Sequence, residues 1–167
     1  MQSNYLTTIY GSVTPGLIKQ LAQVTRGLGG EWLTSRFIRL DDRFAALMNV
    51  VIATEREQEL KETLEQRFPQ LTFIYSAVSG TPRQLGKILN LVVECIDRDG
   101  LTGDLASILA GLDLRVEEME CRRFRMEEIG ETVFSARLSL AVPAESDGLV
   151  IAGEIEALSE DVRVEIV

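Results

Sequence analysis

Slid along by 84 positions, the sequence falls on itself. Gly16, Leu17, Leu21, Ala22, Gly27 and Leu28 land on Gly100, Leu101, Leu105, Ala106, Gly111 and Leu112. The matching positions are glycine or small and large apolar residues, the kinds that backbone geometry and packing constrain. A period of this length means two copies of one unit. A chain of 167 residues then holds two units of roughly 80 residues each, near the lower end of independent folding.

The pattern inside each copy gives the elements. Leu17, Leu21, Val24 and Leu28 are spaced as one stripe of a helix, and Leu101, Leu105, Ile108 and Leu112 repeat the spacing. Thr14 is placed to N-cap the first helix, with Pro15 at its first position. Gly27 and Gly111 sit near the helix ends, where a left-handed residue often closes the last turn. A strand precedes each helix: residues 6–10 in the first copy, and Leu89, Leu91, Val93 and Cys95 alternating with Asn90 and Glu94 in the second. Two strands follow each helix. In the first copy they run from Trp32 to Leu40 and from Phe44 to Ile52, turning at Asp41-Asp42. In the second they run from Val116 to Phe124 and from Val133 to Val142, turning near Gly130, with an offset of 90, so this hairpin is about six residues longer. Thr54-Glu55-Arg56-Glu57 has the form of a capping box, and Leu60, Leu64 and Phe68 stripe the helix after it. Its counterpart starts near Asp147 and carries Ile151, Ile155 and Leu158. Closing strands hold Leu71, Phe73 and Tyr75, and Val162, Val164 and Ile166.

Each copy therefore reads βαββαβ, and both helices must bury their stripes on one face of a four-stranded antiparallel sheet. The expected class is α+β, two tandem ferredoxin-like domains at 1–78 and 87–167, joined by a linker at 79–86 of Ser-Gly-Thr-Pro character. This layout hosts many unrelated functions and does not name one.

Composition narrows the chemistry. The sequence has no histidine, the commonest general base and metal ligand. Cys95 and Cys121 have no metal-ligand spacing and read as free apolar thiols. No cofactor, metal site or catalytic residue is expected. The net charge of −9 is uneven: residues 1–84 carry a net of +1 and residues 85–167 a net of −10. Phosphate backbones repel the second half, so direct nucleic-acid binding is not expected. No stretch is apolar and long enough to span a bilayer, and the first residues lack a signal-peptide order, so a cytoplasmic protein is expected.

Cys95-Ile96-Asp97-Arg98-Asp99-Gly100-Leu101 resembles the ACT-domain signature, in which the first strand ends in a D-R-P-G-L-type turn. Leu105-Ala106 and Gly111-Leu112 also resemble ACT helices. The first copy offers Gly11-Ser12-Val13-Thr14-Pro15-Gly16-Leu17, keeping the Pro-Gly and lacking the acid. Two such domains in one chain resemble the glycine cleavage system transcriptional repressor group. The resemblance implies a non-enzymatic, homo-oligomeric regulatory protein. It would bind an amino-acid effector such as glycine at an interface between two domains, and contact a DNA-binding transcription activator.

The ligand-binding residues so implied are Asp97, Arg98, Asp99, Gly100 and Leu101, with Ser12, Val13, Thr14, Pro15, Gly16 and Leu17 in the first copy. The physics is consistent. Glycine permits close approach to the backbone, a helix N-terminus suits a carboxylate, and an aspartate suits an ammonium. Asp99 stands where the family has proline and Val13 where it has the acid. Loss of the effector, leaving a ligand-independent interaction module, is the alternative. The glycines also suit plain tight turns, and Asp97 and Asp99 plain helix caps. Arg122, Arg123 and Arg125, followed by Glu127, Glu128 and Glu131, read as a solvated loop that neutralises itself. Trp32 reads as core or domain interface. An acyl-phosphate hydrolase would need a glycine-rich phosphate loop, which the sequence does not contain.

Overall fold

The computed structural model describes residues 1–78 and 86–167. These form two compact units, residues 1–78 in one and 86–167 in the other. The linker expected at 79–86 lies, apart from Gly86, outside the described residues.

The first unit runs β1 (Gln2–Ser12), α1 (Leu17–Gly27), β2 (Glu31–Leu40), β3 (Arg43–Ala53), α2 (Glu57–Arg67) and β4 (Leu71–Ala77). The second runs β5 (Lys87–Ile96), α3 (Leu101–Gly111), β6 (Arg115–Met126), β7 (Glu131–Val142), α4 (Gly148–Glu156) and β8 (Arg163–Ile166). Their sheets are antiparallel, in the orders β2-β3-β1-β4 and β6-β7-β5-β8. Both units are thus βαββαβ with the ferredoxin-like strand order.

The pairing register measures the repeat residue by residue. Tyr5 opposes Val50 as Leu89 opposes Leu140, and Leu40 opposes Arg43 as Phe124 opposes Val133. The offset is therefore 84 before the hairpin tip and 90 after it. The six extra residues add two strand pairs and lengthen the loop from two residues to four, with Gly130 at φ 70. A β-bulge recurs too, between Trp32 and Thr34 in β2 and between Val116 and Glu118 in β6.

Each sheet buries one face under its two helices. The first core gathers Tyr5, Ile9, Leu17, Leu21, Phe44, Met48, Ile52, Leu60 and Leu64. The second gathers Leu91, Val93, Leu101, Leu105, Leu109, Phe134, Leu138, Leu140 and Ile155. Trp32 packs at the edge of the first core, its ring 5.7 Å from that of Phe37. β3, apolar on both faces, is an interior strand between β2 and β1. Thr25 occupies the place of Leu109 and remains buried because its hydroxyl donates to the Leu21 carbonyl at 2.9 Å.

Three local expectations are corrected. Gly16 at φ 72, rather than Thr14, is the N-cap of α1, and Pro15 stands ahead of the helix. The left-handed residues past α1 and α3 are Gly29 and Asp113 rather than Gly27 and Gly111. There Gly30 N–H reaches the Thr25 carbonyl at 2.8 Å and Leu114 N–H the Leu109 carbonyl at 3.0 Å, so each helix closes in a Schellman motif two residues later than its glycine suggests. Thr54-Glu55-Arg56 forms a 3₁₀ turn without a side-chain cap, and the Thr54 hydroxyl accepts from Ser3 Oγ at 3.2 Å instead. At α4 the expected cap is present: Asp147 Oδ1 accepts from Leu149 N–H at 2.9 Å.

Candidate functional site

The strand-to-helix elbow is built the same way twice. β1 ends where Val13 N–H donates to the Asp42 carbonyl at 3.0 Å; β5 ends where Asp97 N–H donates to the Thr132 carbonyl at 2.8 Å. The chain then reverses through Gly16 at φ 72 or Gly100 at φ 85, a left-handed conformation that glycine adopts at little cost. Leu17 and Leu101 drop into their cores as the first helical residues. Neither α1 nor α3 has a side-chain cap, so Asp97 and Asp99 do not cap α3.

In the first elbow Val13, Thr14, Pro15, Gly16 and Leu17 line a cleft of about 480 Å³. Ser12 does not contribute to its lining. The remaining walls come from Ile18, Phe37, Ile38 and Phe44, with Lys19 and Arg39 as the charged residues and no carboxylate among them. Arg39 Nε donates to the Asp41 carbonyl at 2.8 Å, which holds the guanidinium at the rim. The Leu17 amide, expected as a ligand donor, already bonds the Thr14 carbonyl at 3.2 Å.

The second elbow is filled by its own side chains. Arg123, the counterpart of Arg39, lies over the Phe134 ring with 4.9 Å from guanidinium carbon to ring centre. Its Nε donates to Asp97 Oδ1 at 2.9 Å and a terminal nitrogen to Thr102 Oγ1 at 3.4 Å. Arg98 turns away to Asp104 at 2.9 Å. In the first copy Val13 and Ile18 replace Asp97 and Thr102, so Arg39 has no equivalent partners there.

The arginine was missed at the sequence level. Arg122 and Arg123 are not a loop cluster answered by Glu127, Glu128 and Glu131. Arg122 pairs with Glu120 on the face away from the helices, and Arg123 pairs with Asp97 on the helix side. A second missed residue is Asp161. Its Oδ2 accepts from Ile96 N–H at 2.8 Å and its Oδ1 from the Ser159 hydroxyl, pinning the end of β5 before the elbow. Those bonds, the one from Ser159 first, hold its carboxyl below the usual carboxylate range. Burial pushes the thiols of Cys95 and Cys121 up, which suits apolar rather than nucleophilic cysteines. Among the described residues no group of three metal-ligating side chains occurs, and no helix is long and apolar enough to cross a membrane.

Residues 4–77 match the ACT domain model. The first unit is an ACT domain. The second unit repeats its fold, strand order and elbow, so the chain carries two ferredoxin-like ACT-type folds in tandem. A sequence comparison with curated proteins finds no match. The fold of the whole chain is shared with an unknown protein from Galdieria sulphuraria, at a TM-score of 0.81 and 18% identity over 100% of this chain and 99% of that one. It is shared also with a candidate glycine cleavage system transcriptional repressor, at a TM-score of 0.75 and 17% identity over 100% and 98%. At these identities the likeness is one of fold. The ACT fold is a regulatory fold, and one cleft of this ACT domain lies at its elbow.

Proposed function

We propose that the chain is a non-enzymatic, cytoplasmic regulatory protein that senses a small amino-acid effector and controls a transcription-factor partner by protein–protein contact. The observation that carries this reading is the cleft at the first elbow. It combines an uncapped helix N-terminus, two cations and apolar walls. An amino acid places its carboxylate against the start of α1 and Arg39, while Thr14 offers the oxygen acceptor its ammonium needs. The fold shared with a candidate glycine cleavage repressor supports the choice of partner and makes glycine the first effector to test.

In this reading the effector acts by linkage. It shifts the protein between two states only by its differential affinity for them, and the partner feels that shift. Calorimetry against the twenty amino acids at millimolar concentration tests it, with heat expected for at least one and abolished by Arg39→Ala. Twenty silent titrations overturn it.

A second reading has its own observation. Arg123 already neutralises Asp97, the one family acid present, so the second copy resembles a ligand-independent interaction module. If an effector response survives in Asp97→Ala, only the first elbow binds; if it disappears in a folded Asp97→Ala protein, the second copy binds as well and the module reading fails.

A further inference from the structure

The two sheets share a fold but not an outer face. A sheet covered by helices on one side normally presents polar residues on the other. The second unit does so. Ser139 donates to Asn90 at 2.7 Å and Ser135 to Glu94 at 3.3 Å across its outer face, and Arg122 pairs with Glu120.

Register equivalence shows what the first unit carries in the same places. Leu6 stands for Asn90, Tyr10 for Glu94, Ile38 for Arg122, Ala45 for Ser135, Leu47 for Arg137 and Ile74 for Glu165. These six fall in adjacent rows across all four strands. Of them Tyr10, Leu47 and Ile74 are each 49% exposed and Ile38 is 58% exposed. A shallow depression of about 380 Å³ opens in this face beside Tyr10, Ile38 and Ala45. The same rows also hold Thr8, Thr34, Arg36, Asn49, Thr72 and Ser76, so the six form an apolar band within a mixed face. Scattered exposed apolar residues need no explanation, but a band of neighbouring ones on a sheet does. The second copy shows that the fold itself does not require it.

We propose that the outer face of β2-β3-β1-β4 is a self-association surface, packed against the same face of a second copy of this chain about a twofold axis. Sheets pack face to face about 10 Å apart with strands offset by ~30°, and two copies of this face, each with its apolar band, satisfy that geometry. Four strands ~4.8 Å apart, each contributing about eight residues at ~3.4 Å, span roughly 500 Å². Pairing two such faces removes on the order of 1,000 Å² from water, the lower bound for a specific interface. The second unit's charged outer face does not offer that match. This inference does not depend on an effector: the dimer forms with the elbow cleft empty.

Sedimentation velocity of the full chain, from ~1 to ~200 µM, tests it. Wild type is expected to dimerise within that range. Leu47→Arg places unpaired charges face to face and is expected to weaken the dimer at least ~100-fold. Ile74→Lys, on another strand, gives the same reading, and both residues are exposed enough for circular dichroism to show an unchanged fold. Ser135→Arg, a new charge on the same outer face of the second unit, is expected to leave the dimer within ~3-fold of wild type. A wild type that stays monomeric, or a dimer indifferent to both first-unit variants, overturns the proposal. So does a dimer that dissolves at high salt, which points instead to an ionic contact with the acidic second unit.

Discussion

Replacing Arg123 with alanine, alone and with Asp97→Ala, measures how firmly the second elbow is closed by its own residues. Asp97 and Arg123 side chains are 24% and 46% exposed and meet at 2.9 Å. A pair this open to solvent is worth about 0.5–1 kcal/mol. The guanidinium over the Phe134 ring adds another ~0.5–1 kcal/mol, which only the arginine change removes. Asp97→Ala should therefore cost about 0.5–1 kcal/mol and Arg123→Ala about 1–2 kcal/mol. The double variant should cost no more than Arg123→Ala, so the coupling equals the pair, about 0.5–1 kcal/mol. Urea unfolding followed by far-ultraviolet circular dichroism reads these values. Trp32, the one tryptophan and part of the first unit, reports by fluorescence whether that unit keeps its own transition. Single changes that simply add in the double variant would refute the closure of the elbow and return Asp97 to the ligand.

Gly16→Ala and Gly100→Ala should each lose about 1–2 kcal/mol in denaturant titrations, from the left-handed backbone alone, since an added Cβ meets nothing closer than Gln20 Nε2 at 3.9 Å; asparagine should cost less. Gly11→Ala should cost more than either, because its Cβ would lie 2.4 Å from the Gln70 carbonyl, and equal costs in the same titration would contradict the close approach. Asp147→Ala should remove about 1 kcal/mol by losing the cap of α4, read as a lower thermal midpoint that Asp147→Ser largely restores. Burial, with Glu57 nearby, pushes Tyr5 up to about 12, so its neutral form is the folded one. Its contribution is complete below the ordinary phenol value of 10.0 and falls away between there and about pH 12, and Tyr5→Phe should flatten that part of a stability-against-pH curve.

The architecture was legible because duplication leaves apolar stripes and glycine elbows at a constant offset. The six-residue insertion in the second hairpin was legible for the same reason. The arginine beneath each elbow was not. Counting alternate residues from Trp32 puts Arg36 and Ile38 toward the helices and Arg39 toward solvent. The bulge after Trp32 inserts one residue and reverses that phase, so Ser35, Phe37 and Arg39 follow Trp32 on the helix side, and Cys121 and Arg123 do the same in β6. A bulge leaves no mark in composition, so the charge at position 123 looked like part of a solvated run. Gly27 and Gly111 misled in a smaller way. They lie close enough to the helix ends to suggest a stop, yet the Schellman bonds form at Gly29 and Asp113, and Asp113 shows that an aspartate tolerates the conformation.

The outer face of the second sheet, with its rows of paired serines, glutamates and arginines, sets the valence of the molecule. A chain with two apolar faces would have two sticky ends and could grow without limit into fibres. With the second face hydrophilic, the proposed contact uses one sheet of each chain, and assembly through it closes at two.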